Sequence, residues 1–175
     1  MREVYWRHFT QLKMDEFYYT EYQTSSARYM FVVSILTNTI SIVLIVLWSF
    51  FDHLSALWAV VIGVMQILNM VRHQLPFSRR IDALKHFLPD LARLLNEVKR
   101  DWGRIYLEEL AESHINDLIY SHEQRYADLL DKYAVGGLFL ENKRFAKIAE
   151  ARRIDYFKGQ YGTEPLETIE EVYSK

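Results

Sequence analysis

Residues 29–51 read YMFVVSILTNTISIVLIVLWSFF, 23 positions without Asp, Glu, Lys or Arg. At 1.5 Å of rise per residue, such a run makes a helix of about 34 Å, enough to cross a hydrocarbon core about 30 Å thick. Asp52 follows, and residues 53–71 then supply 19 further positions lacking those four residue types, about 28 Å of helix. Soluble helices of this length keep a charged face toward water, and neither run has one. The expectation is therefore two membrane spans, residues 29–51 and 54–74. Little more than Asp52-His53 separates them, so they should form an antiparallel two-transmembrane hairpin with both chain ends on one side.

Flanking charge orients the hairpin. Arg2, Arg7, Lys13 and Arg28 precede it, Arg72, Arg79, Arg80 and Lys85 follow it, and the connecting turn has no Lys or Arg. The positive-inside rule then puts both termini in the cytoplasm. The apolar block follows a mixed-charge arm rather than a short basic one, which does not read as a signal peptide.

Outside the spans the chain reads as all-α, with no convincing period-two alternation. Residues 1–28 form an aromatic-rich amphipathic segment in which Tyr5, Phe9, Leu12 and Tyr19 fall near helical spacing. That face suits either the membrane interface or packing on cytosolic helices. Residues 76–162 read as a cytosolic helical domain. Leu75-Pro76-Phe77 marks an end or bend of the second span. Ile81, Leu84, Leu88, Leu91, Leu95, Val98, Trp102 and Ile105 then repeat at alternating steps of three and four, a heptad seam. Pro89 within it implies a kink or a new helix start. Such a seam needs cover, from a second copy in a homo-oligomer or from the chain's own later helix. That later helix carries Ile115, Leu118, Ile119, Tyr126, Leu129, Leu130 and Tyr133 and should stop at Gly136-Gly137. A last helix spans about 142–158, bounded by Gly159 and Gly162, and residues 163–175 form an acidic tail.

Composition removes several function classes. The 175 residues hold 21 Lys plus Arg, 23 Asp plus Glu and no Cys. Near-balance argues against a nucleic-acid coat, so no DNA or RNA polymer is expected as partner. Without Cys there is no disulfide scaffold, thiolate cluster or cysteine nucleophile. Phosphate loops, His-Glu-x-x-His and Gly-x-Ser-x-Gly are missing, and no Glu lies three residues before any His. The chain is therefore not expected to be an enzyme, and neither cofactor nor metal is expected.

Two sets of residues stand out instead. Ser34, Thr37, Asn38 and Ser41 share one face of the first span, and Gln66 and Asn69 lie on a small-residue stripe of the second that runs from Ser55 through Ala59 and Gly63 to His73. These stripes serve as helix–helix glue or, with several subunits, as the lining of a wet path. The second set follows charge banding: residues 72–104 and 142–158 are basic, and residues 105–141 are acidic. Adjacent acidic and basic helices that simply pack together would give the same bands, while a basic surface near the membrane could meet anionic lipid or phosphate. Arg79, Arg80, Lys99, Arg100 and Arg104 on the first basic segment, with Arg152, Arg153 and Tyr156 on the second, could bind a cyclic nucleotide if the segments converge. Arginine forks grip phosphate, and an aromatic ring stacks on a base.

The order of features, from Tyr5-Trp6-Arg7 through Arg28, the tight hairpin, Ala83-Leu84-Lys85-His86-Phe87 and the Trp102 helix to the closing 146–162 helix with Tyr156 and Tyr161-Gly162, resembles the SLATT domain family. These are two-transmembrane effector domains of bacterial nucleotide-linked antiphage defence. The resemblance implies an inner-membrane effector that permeabilises the bilayer and arrests growth or kills the cell, under control of a nucleotide second messenger or a partner protein. The chain departs from fused members in carrying no attached polymerase or nucleotide-binding domain. A competing expectation, of another class, is a passive membrane-anchored adaptor that recruits a partner through its heptad helix.

The topology is open to a direct test. In intact spheroplasts, a Ser174→Cys variant should resist labelling by an impermeant thiol reagent and label fully after permeabilisation; labelling beforehand would overturn the cytoplasmic assignment.

Overall fold

The computed structural model describes residues 1–50, 55–72, 76–108, 110–134 and 141–162, without the side chains of 48–50, 55–56, 68–72 and 76–77. The described residues are all-α. Five helices follow in order: α1 Arg2–Phe50, α2 Ser55–Arg72, α3 Pro76–Tyr106, α4 Glu112–Tyr133 and α5 Lys143–Tyr161. The turn at Asp52-His53, the Gly136-Gly137 stop and the acidic tail lie outside the described residues.

Two compact units result, and the N-terminal arm belongs to the helical one. Met1–Gln23 joins Ala83–Lys175, while Thr24–Asp82 forms the second unit. In the first unit α1 supplies the centre of the core. Tyr5, Phe9 and Leu12 are at most 2 % exposed, and Trp6 and Tyr22 are also buried. Of the two readings of this aromatic face, packing on the later helices is the one observed.

Contact pairs give the topology. The Tyr5 hydroxyl donates to the Val98 carbonyl at 3.1 Å, and Tyr19 meets Phe87 edge-on at 4.9 Å, so α1 and α3 run antiparallel. Along α4, His122 stacks on His8 and the Tyr126 hydroxyl donates to Asp15, so α4 runs parallel to α1. Against α3 it is antiparallel: Arg125 forks onto Glu97, and the Tyr133 hydroxyl donates to Asp90 at 2.7 Å. On α5, Phe145 packs on Tyr22 at one end and Tyr161 on Trp6 at the other, antiparallel to α1. These four segments form an up-down-up-down bundle.

The heptad seam is covered within the chain. Leu84, Leu91, Leu95, Val98 and Ile105 are buried against α1, Ile115, Ile119 and Phe157. A second copy is not needed to hide them. Pro89 sits inside α3 rather than opening a new helix. Its ring is exposed, and so is Lys85, whose carbonyl loses its helical donor and can be met by water.

The ends of α5 follow local chemistry. The Asn142 side chain accepts from the Arg144 and Phe145 N–H groups at 2.9 and 3.4 Å. Gly162 has φ +68° and donates to the Lys158 carbonyl, the left-handed cap that glycine adopts without Cβ strain. Gly159 is carried within the helix, not at its end.

The second unit has a different surface. An 18-residue window of α1 reaches a mean hydropathy of 2.5 with none of it buried. Phe31, Ile42, Val60 and Ile67 are each more than 60 % exposed. α1 is therefore long and apolar enough to cross a membrane. The described apolar stretch of α2, Leu57–Ile67, is shorter than a full crossing.

Core packing sets an expected ranking. Phe9→Ala should cost about 3–5 kcal/mol of bundle stability, and exposed Leu107→Ala less than about 0.5 kcal/mol, measured by thermal unfolding in mild detergent with tryptophan fluorescence.

Candidate functional site

The polar face of α1 divides into two kinds of group. The hydroxyls serve their own helix: Thr37 Oγ1 donates to the Val33 carbonyl at 2.7 Å and Ser41 Oγ to the Thr37 carbonyl at 2.9 Å. Such back-bonding satisfies the donor without a neighbouring helix. Ser34 is half-buried on the same face. The amides differ. Asn38 on α1 and Gln66 on α2 are exposed, and among the described residues neither takes part in a hydrogen bond. The Asn69 side chain lies outside the described residues.

The basic residues expected to hold phosphate are distributed along the bundle. Arg79 and Arg80 fall in the Thr24–Asp82 unit. Lys99 and Arg100 are exposed on α3 beside Val98, which bonds to Tyr5. Arg100 and Arg104 lie 3.7 and 3.9 Å from the Asp101 carboxylate on their own helix. Arg152 instead reaches Glu21 at 3.0 Å, and buried Arg153 pairs with Glu150 at 3.3 Å. Tyr5 and Glu21 are 16 positions apart on α1, about 24 Å of helical rise. Lys99 and Arg100 therefore sit at one level of the bundle and Arg152 at another. Tyr156 packs on Phe17 and Phe157, and the Lys13 ammonium lies 4.7 Å from its ring centre. One ring face is thus already taken by a cation.

The histidines carry no metal or catalytic motif in the sequence, yet the fold gathers two of them with an acid in a buried polar cluster. Asp101 and His122 are 4 % and 3 % exposed. His122 Nε2 lies 3.3 Å from Asp101 Oδ2, close but poorly aligned as a hydrogen bond, and neither its Nδ1 nor His8 Nε2 has a hydrogen-bond partner. The two imidazoles stack at 6.4 Å, and His8 Nδ1 approaches Glu123 at 3.7 Å. Tyr5 borders both rings and stacks on Trp102 at 6.3 Å. Burial pushes His8 down to about 4, helped by His122. Burial also lowers His122, opposed by the Asp101 carboxylate. The signal was present in the spacing: His8 follows Tyr5 by three, and His122 continues the Ile115, Ile119 stripe.

A second carboxylate within the bundle, partly buried, is Asp15. It accepts from the Tyr126 hydroxyl at 2.9 Å and the Gln11 amide at 3.4 Å. Burial outweighs these bonds and pushes it up to about 6. It borders a cavity of about 230 Å³ with Tyr18, Tyr19 and Glu141, while Asp90, Glu97, Arg125 and Asp128 line another of about 360 Å³. Among the described residues, no three His, Asp or Glu side chains gather as a metal site.

No family model matches the sequence, and no curated protein or solved structure matches it either.

The histidine cluster makes bundle stability pH-dependent with a definite sign. His8 is depressed from 6.5 to about 4 in the fold. Its neutral form is therefore favoured fully above 6.5, and that stability is lost as pH falls from 6.5 toward 4. Between pH 7 and 4 the parent should lose up to about 3 kcal/mol more than His8→Asn in urea unfolding. Identical pH dependence of the two would overturn the assignment.

Proposed function

We propose that the chain is a non-catalytic, membrane-disrupting or pore-forming effector of a bacterial antiviral defence system, as its resemblance to the SLATT domain family implies. In this reading α1 and α2 form an antiparallel hairpin in the inner membrane with both termini cytoplasmic, and several copies assemble to breach the bilayer. The observation that carries it is the pair of exposed amides, Asn38 and Gln66, within an apolar surface and without a side-chain partner among the described residues. An unpaired amide in hydrocarbon costs a few kcal/mol, so each must meet water or another protein chain. One hairpin has too little surface to enclose water, so the amides call for a homo-oligomer around a wet path. The back-bonded Thr37 and Ser41 hydroxyls need no such partner.

Control is assigned to the helical unit, through a nucleotide second messenger or a partner protein. The separation of Lys99 and Arg100 from Arg152 along the bundle favours a partner protein over direct capture of a nucleotide between them. The adaptor reading loses its main surface, because the seam it would offer is filled by Tyr5, Phe9 and Ile115. Calorimetry with cyclic di- and trinucleotides tests direct control: no binding is expected, and micromolar binding would restore it.

The path is tested at the amides. Inducible expression should collapse the membrane potential before lysis, and purified protein should make liposomes leak. Asn38→Leu and Gln66→Leu should reach the membrane at parental levels, because glue of this kind contributes about 1 kcal/mol or less. Leakage should nevertheless fall at least about tenfold as the lumen dewets. Parental leakage from both variants and from their combination would rule the face out.

A further inference from the structure

Six cations lie on α5, and the bundle does not use them alike. Arg152 and Arg153 are engaged with Glu21 and Glu150. Lys143, Arg144 and Lys147 are exposed and, among the described residues, form no ion pair. They crowd the first turns of the helix, where no acid offsets them. That end of a helix is the positive end of its dipole, so the placement works against helix stability. Glu141 is the only acid among residues 141–147, leaving a net charge of +2. Packing gives these cations no role.

Their level in the bundle suggests one. The Asn142 N–H donates to the Tyr18 hydroxyl at 2.9 Å, and Phe145 packs edge-on to Tyr22 at 5.4 Å. Tyr22 lies seven positions before Tyr29, where the uncharged run begins, and Arg28 is the last charge before it. Seven residues reach about 10 Å as helix and at most about 25 Å extended. The first turns of α5 therefore lie at the end of the bundle from which α1 runs on into the uncharged stretch. Lys99 and Arg100 lie at the opposite end of the bundle, at the level of Tyr5.

We propose that Lys143, Arg144 and Lys147 form a docking surface for anionic phospholipid headgroups, holding this end of the helical unit against the cytoplasmic leaflet. The proposal rests on the membrane reading given above. The chemistry fits: Arg144 can fork onto a phosphate, the lysines act as point charges, and a leaflet rich in anionic lipid attracts a juxtamembrane basic cluster over a Debye length of about 8 Å. The surface also gives control a physical handle, since a partner that covers it would lift the bundle from the bilayer.

The test uses the full chain with Ala151→Cys, an exposed position one turn beyond Lys147 on the same face, carrying a fluorophore. The protein is reconstituted into phosphatidylcholine vesicles with or without phosphatidylglycerol, each containing a headgroup-nitroxide lipid as quencher. Quenching should be at least about twofold stronger with the anionic lipid and fall to the neutral-lipid level in high salt, as expected of a screened attraction. Joint Lys143→Glu, Arg144→Glu and Lys147→Glu should abolish the difference, and Lys99→Glu, at the far level, should leave it intact. Equal quenching in both lipids, by chain that resists an alkaline wash, would overturn the docking surface while sparing the membrane reading. Chain that washes off would overturn both. Loss of quenching on adding a soluble cyclic dinucleotide would assign the patch to a free phosphate ligand and overturn the lipid proposal.

Discussion

Arg28 separates a buried half of one helix from an exposed apolar half. Before it, the side chains of α1 bury in protein, with Tyr5, Phe9 and Leu12 nearly inaccessible. After it, no charge appears for 23 residues and the most apolar window is left entirely unburied. The hydrophobic effect buries the first half against the other helices, while the apolar surface of the second is left exposed among the described residues. α3, α4 and α5 pack on the first half, and the second leaves its apolar side chains exposed.

The wrapping depends on large rings rather than on aliphatic seams alone. Trp6 touches Trp102, Phe157 and Tyr161 at 4.8–5.2 Å, joining α1, α3 and α5 at one level. Tyr19, Phe87 and Tyr133 join α1, α3 and α4 at the other end. Offset and edge-on ring pairs add to the area they bury. Between these layers sit Asp101, His122 and Asp15, polar groups that a purely apolar core would not contain. Burial lowers the proton affinity of His122 and raises that of Asp15, which makes the bundle sensitive to pH. The exposed ion pairs, such as Arg125 on Glu97, contribute far less, because water and salt screen them.

Proposed function and fold meet in the unpartnered groups. Asn38 and Gln66 are costly in hydrocarbon, and Lys143, Arg144 and Lys147 are poorly placed for their own helix. A single isolated chain explains neither set. The proposed assembly within a bilayer that carries anionic lipid would account for both, one in the apolar layer and one at its surface.

Much of this was legible beforehand. Charge-free runs and 3.6-residue periodicity depend only on local order along the chain, so the all-α class, the α4 stripe, a last helix opening near Asn142 and the apolar half of α1 could be read directly. A heptad seam states that a surface must be covered but not by what. Whether α3 meets a second copy or the N-terminal arm is a competition between distant segments, and Tyr5, Phe9 and Ile115 won it within the chain. Charge bands likewise reveal sign without position. Lys99 and Arg152 carry the same sign but lie at different levels, because α3 and α5 are fixed by the rings they share with α1. His122 continued an apolar stripe, yet only the packing of α1 against α3 and α4 put it beside Asp101 and His8. Local periodicity determined which faces are apolar; the choice among possible partners for those faces was made by tertiary packing, where the best-fitting rings exclude the alternatives.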